Sequence, residues 1–182
     1  QLSLITMEDL KIYEPVWRDP IVFDYKDIKV ISMSPPSSGG VTINQMFKMM
    51  EPYDVSKFGH NSEKTIQLFT EASRRAYADR NYYLGDPDFV DIPYDVLLSD
   101  DYLQDRMSNF SFDKATLSSE VSHGEVEIVE SDQTTHFSIV DSEGNAVSVT
   151  STLNGGYGSK LYCAEVGIFL NNEMDDFSAK AG

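Results

Sequence analysis

Three polar stretches in the last third of the sequence carry the side chains that could do chemistry. They are Gln133–His136, Thr150–Asn154 and Asn171–Phe177. The first two hold hydroxyls beside an amide or an imidazole, and the third adds two amides and three carboxylates. Core strands favour Val and Ile at such positions, so this density of polar groups indicates a site on a strand pair and on the segment after it.

Threonine is the candidate nucleophile that remains once the common catalytic sets are considered. The three histidines, His60, His123 and His136, lie far apart in the sequence and form no convincing Ser-His-Asp set. His136 follows two threonines directly, but neighbouring strand residues point to opposite faces, so a structural role is the better interpretation. No constellation of Cys and His suits a metal.

Cleavage of the chain before Thr134 would supply the base that a threonine nucleophile needs. A Thr hydroxyl is not nucleophilic alone. A free α-amino group titrates near ~8 and can accept its proton. The pattern by itself does not select Thr134 over its neighbours, because hydroxyls are common on exposed strand faces.

A hairpin and a third strand must position these residues. Residues 136–140 alternate as a strand should, 141–145 form a turn and 146–150 return. Val166–Leu170 is predicted to be a third strand. The polar residues 108–132 are predicted to be an extended loop that leads directly to Gln133 and Thr134.

The first part of the chain is predicted to alternate helices with a strand pair. The pattern indicates a capped helix from Thr6 to about Tyr13, strands at Ile21–Tyr25 and Ile28–Ser32, and later helices at about 62–82 and 99–107. Two inner faces are predicted from apolar spacing. They consist of Ile43, Met46, Phe47 and Met50 in one helix, and of Ile66, Phe69, Ser73, Ala76 and Tyr77 in the next.

Two local patterns have both a structural and a functional interpretation. The glycines Gly39 and Gly40 before a helix could bind an anion, but no phosphate-loop Lys follows and a tight strand-to-helix turn is favoured. The spacing of Asp86, Asp88 and Asp91 lacks the Gly and distal Glu of a calcium loop, so a metal is disfavoured there. Arg74, Arg75 and Arg80 are expected to be solvated or to form structural ion pairs.

Composition and charge disfavour several classes of partner. The formal net charge of −16, from 14 Lys and Arg against 30 Asp and Glu, disfavours nucleic acid and anionic membranes. No apolar run could span a membrane, and Cys163 is the only cysteine, so no internal disulfide can form. The 182 residues suffice for one domain, and their abrupt ends suggest a segment of a longer protein.

Together these stretches resemble the signature of the γ-glutamyltranspeptidases. The likeness extends over essentially the whole chain and rests on several separated motifs in order. The motifs are Pro35–Gly40, Tyr77–Arg80, Leu84–Phe89, Gln133–Ser138, Asp141, Gly144–Val147, Thr150–Asn154 and Leu170–Phe177.

The resemblance implies a fold and a precursor organisation. The fold would be α+β, an αββα sandwich of the N-terminal-nucleophile hydrolase type, of which this chain is a segment. The precursor would cut itself at Gln133–Thr134. Residues 1–133 would be the C-terminal part of the large subunit and residues 134–182 the start of the small one, and the two would pair as a heterodimer. A periplasmic or extracellular location is also implied.

The resemblance also implies the roles of the site residues. Thr134 would attack glutathione or another γ-glutamyl amide and form an ester, which water or an amino acid then resolves. Thr152 would support the nucleophile, and Asn154, Glu173 and Asp176 would hold the α-amino and α-carboxylate groups of the substrate. Asp175 is left structural, because its match is less certain. No cofactor and no metal is implied.

The chain departs from the family pattern in ways that leave alternatives open. The family's carboxylate-binding Arg, its two Ser and its Gly-Gly oxyanion loop are not assigned here. The stretch Ser37–Gly40 looks like the Ser and Gly set but lies in the other half. The segment alone is therefore expected to be nearly inactive. The alternatives are a related acylase or polyglutamate-processing enzyme of the same fold, and a catalytically silent assembly fragment.

Overall fold

A computed structural model describes residues 6–121 and 134–176, and of Thr134 and Asp176 it describes the backbone alone. The chain divides into two compact units. Among the described residues, the helical unit comprises residues 17–121 and the hairpin unit comprises residues 6–16 with 134–176. Gln133 and the last part of the predicted loop lie outside the described residues.

The helical unit opens with an antiparallel hairpin and continues through helices. Strand β1 (Ile21–Tyr25) pairs with β2 (Ile28–Ser32), with Lys26 in the turn at a φ of 55°. Both strands were predicted, and both are confirmed. The helices that follow are α2 (Gly39–Met50), α3 (Glu63–Tyr83), α4 (Tyr94–Leu97) and α5 (Asp100–Arg106).

Local chemistry explains where these helices begin. The Ser62 and Ser99 hydroxyls accept from the backbone N–H of Thr65 and Tyr102, which satisfies donors in the first turns of α3 and α5. The predicted tight turn before α2 is also confirmed. A Cβ at Gly40 would lie 2.2 Å from the Met33 carbonyl oxygen, so only glycine allows this close approach.

The buried faces of α2 and α3 are rotated from the predicted ones. In α3, Leu68 and Ala72 are buried with the predicted Ala76, whereas Ile66 and Phe69 are 55% and 49% exposed. In α2, Val41, Gln45 and Met49 are buried and Ile43 is exposed, while the predicted Met46, Phe47 and Met50 are half-buried. The core of the unit consists of Met49, Leu68, Ala72, Ala76, Leu103 and Met107.

Buried ion pairs explain why the buried face of α3 differs from the predicted one. Glu71, Arg75 and Asp79 are each 2% exposed or less. Arg75 binds the Glu71 carboxylate, and Arg106 binds Asp79 at 3.0 Å. Charged side chains can be buried when they are paired and hydrogen-bonded, which a count of apolar residues does not detect. Of the two roles predicted for these arginines, solvation or a structural ion pair, Arg74 and Arg75 take the ion pair. Arg80 donates hydrogen bonds to Ser38 and Asn81.

The described part of the predicted loop packs on α3. Arg75 donates to Asn109 at 2.6 Å and to the Thr116 hydroxyl at 3.1 Å, and Arg74 donates to the Thr116 carbonyl at 2.8 Å. A single 3₁₀ turn covers Ser118–Glu120. The region is therefore irregular, as predicted, but up to residue 121 it is held by specific hydrogen bonds.

The hairpin unit contains one short helix and two strand pairs. Helix α1 (Met7–Ile12) has the predicted N-cap at Thr6, which also forms a capping box with Asp9. Strand β3 (Thr134–Val140) pairs antiparallel with β4 (Ala146–Thr152), and β5 (Tyr162–Cys163) pairs with β6 (Ile168–Phe169). The predicted third strand was too long at its start, because Val166 and Gly167 form a turn and Gly167 has a φ of 74°.

Candidate active site

The register of the long hairpin places two threonines opposite each other at its open end. Thr134 is the first residue of β3 and pairs with Thr152, the last residue of β4. His136 pairs with Thr150, and Ser138 pairs with Ser148. Because alternate residues share a face, positions 134, 136 and 138 of β3 and positions 148, 150 and 152 of β4 form one polar face, with Thr134 and Thr152 at its edge.

Hydrogen bonds across the strands stabilise this polar face. The His136 Nδ1 atom lies 2.8 Å from the Thr150 hydroxyl, and its Nε2 atom lies 3.0 Å from the Ser148 hydroxyl. The Ser138 and Ser148 hydroxyls are 3.3 Å apart. These contacts support the prediction of a structural role for His136, since its ring joins two strands through their side chains.

The turn of the hairpin is closed by a carboxylate. Asp141 accepts from the backbone N–H groups of Glu143 and Asn145 at 2.9 Å each, and from the Asn145 side-chain amide at 2.8 Å. The hydrogen bonds from Asn145 hold the pKa of Asp141 below its ordinary value. The turn therefore favours the observed register, which aligns Thr134 with Thr152.

Immediately after β4 the chain folds back on the hydroxyl of Thr152. The backbone N–H of Asn154 donates to the Thr152 Oγ1 atom at 2.9 Å. Asn154 has a φ of 70° and is only 7% exposed. Asn tolerates the left-handed region better than most residues, which suits this bend. The bend thus places Asn154 directly beside the end of the strand pair.

A 3₁₀ turn at Glu173–Asp176 provides the acidic part of the site. The backbone N–H of Glu173 donates to the Asn171 side chain at 3.0 Å. Asn172 lies between this turn and the bend at Asn154, and its carbonyl accepts from the Asn154 side-chain amide at 3.2 Å. The structure therefore brings Thr134, Thr152, Asn154 and the acidic turn together within one unit.

The structure describes five of the six predicted site residues, to different depths. The side chains of Thr152, Asn154 and Glu173 are described, and Thr134 and Asp176 are placed by their backbone in β3 and in the acidic turn. Gln133, the other side of the predicted cleavage bond, lies outside the described residues. The roles that the sequence predicted for all six stay predictions.

Sequence reasoning missed one residue of this arrangement, Asn172. It accepts and donates hydrogen bonds on both sides of the site. A signal was available, because an Asn pair before an acidic run is typical of side chains that bond nearby backbone groups. The run was noted in the sequence, but no role was assigned to Asn172.

The part of the chain that carries the site is acidic. Between residues 134 and 176 the sequence holds six Asp and Glu but only Lys160 among Lys and Arg. Such a site suits the ammonium group of a ligand. Lys160 is the one Lys or Arg in residues 134–176 that could offset this charge for a ligand carboxylate.

Metal sites find no support in the described residues. Within 6–121 and 134–176, no group of three His, Cys, Asp or Glu is arranged to hold a metal ion. Asp88, one of the three aspartates considered from the sequence, instead binds the Arg18 guanidinium at 2.8 and 3.1 Å, and Asp86 lies 4.0 Å from it.

Among the helices of the described chain, none has the length and apolarity to cross a membrane.

Comparison with known proteins decides between the possible families. The sequence profile of the family described as gamma-glutamyltranspeptidase matches residues 1–182. The chain belongs to the γ-glutamyltranspeptidase family. The resemblance found in the sequence motifs is thereby confirmed.

Curated members of the γ-glutamyltranspeptidase family are similar over nearly the whole chain. The glutathione hydrolase proenzyme of Escherichia coli is 49% identical over 180 residues, which are 99% of this chain and 31% of that protein. The glutathione hydrolase proenzyme of Pseudomonas sp. strain A14 is 44% identical with the same coverage. An acylase proenzyme of Pseudomonas sp. strain SE83 is 35% identical over 181 residues. The chain spans about a third of the length of these relatives.

Solved structures show the same fold. The Helicobacter pylori γ-glutamyltranspeptidase is 42% identical and superimposes with a TM-score of 0.63, over 71% of this chain and 37% of that one. The Bacillus halodurans cephalosporin acylase, at 23% identity, superimposes with a TM-score of 0.76 over 96% of this chain and 30% of that one. The predicted fold class is confirmed: the chain is a mixed α and β segment of the N-terminal-nucleophile hydrolase fold.

Proposed function

We propose that this chain is the central segment of a γ-glutamyltransferase that also hydrolyses glutathione. The observation that carries the proposal is the pairing of Thr134 with Thr152 at the open end of a family-matched hairpin. Support also comes from relatives named glutathione hydrolase proenzyme. The activity belongs to the full-length protein, of which this chain supplies the nucleophile and one wall of the pocket.

In this proposal maturation creates the catalytic base. Cleavage of the Gln133–Thr134 bond gives Thr134 a free α-amino group, so that nucleophile and base belong to one residue. Residues 1–133 become the end of the large subunit and residues 134–182 the start of the small subunit. The two subunits then work as a heterodimer, and the family resemblance supports a periplasmic or extracellular location.

The reaction proceeds through an ester on Thr134. The α-amino group takes the hydroxyl proton as the oxygen attacks the γ-carbonyl carbon, and it passes this proton to the departing amine as the C–N bond breaks. Water then cleaves the ester in hydrolysis, or the amine of an amino acid does so in transpeptidation. In either route the α-amino group takes a proton from the attacking water or amine and passes it to the Thr134 oxygen as the ester bond breaks. Thr152 hydrogen-bonds the nucleophile and keeps it aligned.

The bend and the acidic turn bind the glutamyl group. Asp176 is suited to the α-ammonium group as a charge-assisted acceptor, and Glu173 shares that role. Asn154 offers its amide to either end of the substrate. The carboxylate clamp and the oxyanion donors come from parts of the protein beyond those assigned here. Loss of one oxyanion donor costs ~10²–10³ in rate, so the isolated segment is expected to be nearly inactive.

The decisive experiment follows the new terminus and the turnover of the full-length protein. Mass spectrometry should find a fragment that begins at Thr134, and the protein should release p-nitroaniline from a γ-glutamyl anilide. Thr134→Ala should abolish both, whereas Thr134→Ser, which keeps a hydroxyl nucleophile, should retain partial processing. An intact chain after long incubation would favour the catalytically silent fragment.

An acylase is the second candidate, because an acylase proenzyme is 35% identical over 181 residues. Asn154, Glu173 and Asp176 favour the transferase, since they offer groups for an α-amino acid end that a glutaryl chain lacks. The full-length protein should therefore turn over the γ-glutamyl anilide faster than a glutaryl amide. A preference for the glutaryl or for a polyglutamate substrate would assign the alternative function.

A further inference from the structure

Asn172 occupies a position that links the two substrate-binding parts of the proposed site. Its backbone N–H donates to the Leu153 carbonyl at 3.1 Å, and its carbonyl accepts from the Asn154 side-chain amide at 3.2 Å. Its side-chain Oδ1 atom accepts from the Gly155 backbone N–H at 2.8 Å. Three polar groups of one residue therefore hold the bend that carries Asn154.

The same residue also holds the acidic turn. The Asn172 Nδ2 group donates to the Asp175 carboxylate at 2.8 Å, and its carbonyl accepts from the Asp175 backbone N–H at 3.0 Å. The orientation of the amide is fixed by its partners, because a backbone N–H can only donate and a carboxylate can only accept. In this turn Glu173 lies two residues before Asp175, and Asp176 follows it directly.

The fit between the bend and Asn172 is tight. A Cβ at Gly155 would lie 3.2 Å from the Asn172 Oδ1 atom and 3.4 Å from its Nδ2 atom. Glycine thus lets the backbone approach the amide closely enough for the 2.8 Å hydrogen bond. On the other side of the bend, the Asn154 N–H donates to the Thr152 hydroxyl at 2.9 Å, so the chain of contacts reaches the strand end opposite Thr134.

We propose that Asn172 is a positioning residue that sets the spacing between Asn154 and the Glu173–Asp176 turn, and with it the affinity for the γ-glutamyl substrate. This inference rests on the proposed function. It assigns Asn172 no contact with the substrate. Its side chain acts by bridging the Gly155 N–H and the Asp175 carboxylate, and a small displacement of binding groups can lower activity by up to ~10²-fold.

The test exchanges the donor and the acceptor of the hydrogen bond between Asn172 and Asp175. Asn172→Asp keeps the shape and the acceptor for Gly155, but it sets a carboxylate against Asp175. In the full-length protein we expect KM for γ-glutamyl-p-nitroanilide to rise about tenfold, with kcat within about threefold, because the Thr134–Thr152 pairing is left intact. Asp175→Asn alone keeps an acceptor for Asn172 and should leave KM within about twofold of wild type.

The double variant Asn172→Asp/Asp175→Asn should restore KM to within about threefold of wild type, because the new amide can donate to the new carboxylate. A merely structural role would lower the yield or the unfolding midpoint and leave KM unchanged. If Asn172→Asp does not fold, the double variant decides alone: near-normal KM supports the bridge, and a strongly raised KM overturns it.

Failure of this inference differs from failure of the proposed function. Wild-type protein that neither forms a Thr134 terminus nor releases p-nitroaniline would refute the function. Active wild type with an unchanged KM in Asn172→Asp would refute only the positioning role.

Discussion

The helical unit and the hairpin unit both concentrate polar side chains, but they use them in opposite ways. In the helical unit Glu71, Arg75 and Asp79 are almost fully buried, and their hydrogen bonds run to fixed protein partners. In the hairpin unit His136 and Thr150 are exposed although they are bonded to each other. Polar side chains therefore form a buried network in one place and an exposed face in the other.

The two units differ in how many of the donors and acceptors of these side chains are bonded to other groups of the protein. The Arg75 guanidinium donates to the Arg106 carbonyl, to Asn109, to the Thr116 hydroxyl and to Glu71. Breaking such a buried set leaves an uncompensated charge, so we expect the helical unit to govern stability. In the hairpin unit, the polar face that ends at Thr134 and Thr152 is expected to govern turnover.

The largest effect should come from Glu71→Gln in the full-length protein. The substitution keeps the shape but leaves the buried Arg75 charge without its counter-ion, which should lower the free energy of unfolding by about 3–5 kcal/mol. Urea unfolding measures this, and KM of the folded enzyme should not change. Asp54→Asn, which breaks the exposed pair with Lys57, is the matched control and should have no measurable effect. Equal stability of both variants would contradict the comparison.

The next effect should come from Thr152→Val, which is similar in size but lacks the hydroxyl. Loss of the group that aligns Thr134 should lower kcat by about 10²-fold, while the unfolding midpoint stays close to wild type. Turnover of the γ-glutamyl anilide measures the first and urea unfolding the second. Thr152→Ser should recover most of the activity. A large loss of stability without loss of kcat would show that Thr152 supports folding and not turnover.

Acid should weaken the helical unit more gently than Glu71→Gln does. Burial raises the pKa of Glu71, but hydrogen bonds from Arg75 and Thr116 outweigh it and hold the pKa below its usual value. The contribution is therefore complete above the unfolded pKa of ~4.3 and is lost as pH falls through the folded pKa. When the pH is lowered below about 4, the urea concentration at the unfolding midpoint of wild type should decrease, and that of Glu71→Gln should decrease less. Identical acid profiles would exclude this role for the carboxylate.

The smallest effect should come from His136→Ala on the polar face. Each cross-strand hydrogen bond contributes roughly 0.5–1.5 kcal/mol, and its loss should loosen the start of β3 two residues away. We expect kcat to fall about three- to tenfold with processing still complete. Ser138→Ala, which lies further from Thr134, should change kcat less. The reverse order of the two variants would show that distance from the strand end is not what matters.

Sequence patterns predicted the elements of this chain better than their faces. The cap at Thr6, the first hairpin and the start of α3 at about residue 62 depend on neighbouring residues, so local chemistry was sufficient to find them. The inner face of α3 depends on partners such as Asn109 and Thr116, which lie more than 30 residues away along the chain. Apolar spacing alone could not reveal that a paired Glu and Arg would be buried there.

Sequence motifs predicted the residues of the site, but they did not predict the strand register and the hydrogen bonds that join those residues. Alternation in two strands was enough to predict the hairpin, but not the register that sets Thr134 opposite Thr152. The role of Asn172 depends on a bend at Asn154 and on a turn at Glu173–Asp176 that meet only in the folded chain. Contacts of this kind join residues about 18 positions apart, and no local pattern encodes them.

The left-handed backbone at Asn154 also limits how far this pocket can vary. At a φ of 70° a β-branched or bulky side chain is strained, so Gly and Asp are the alternatives that the conformation tolerates best. Gly would remove the amide, and Asp would replace its donor by a second acceptor. Glu173 has no such restriction, because its 3₁₀ backbone accepts most residues. Directed evolution toward a new acyl group should therefore find its substitutions at Glu173 and leave Asn154 unchanged.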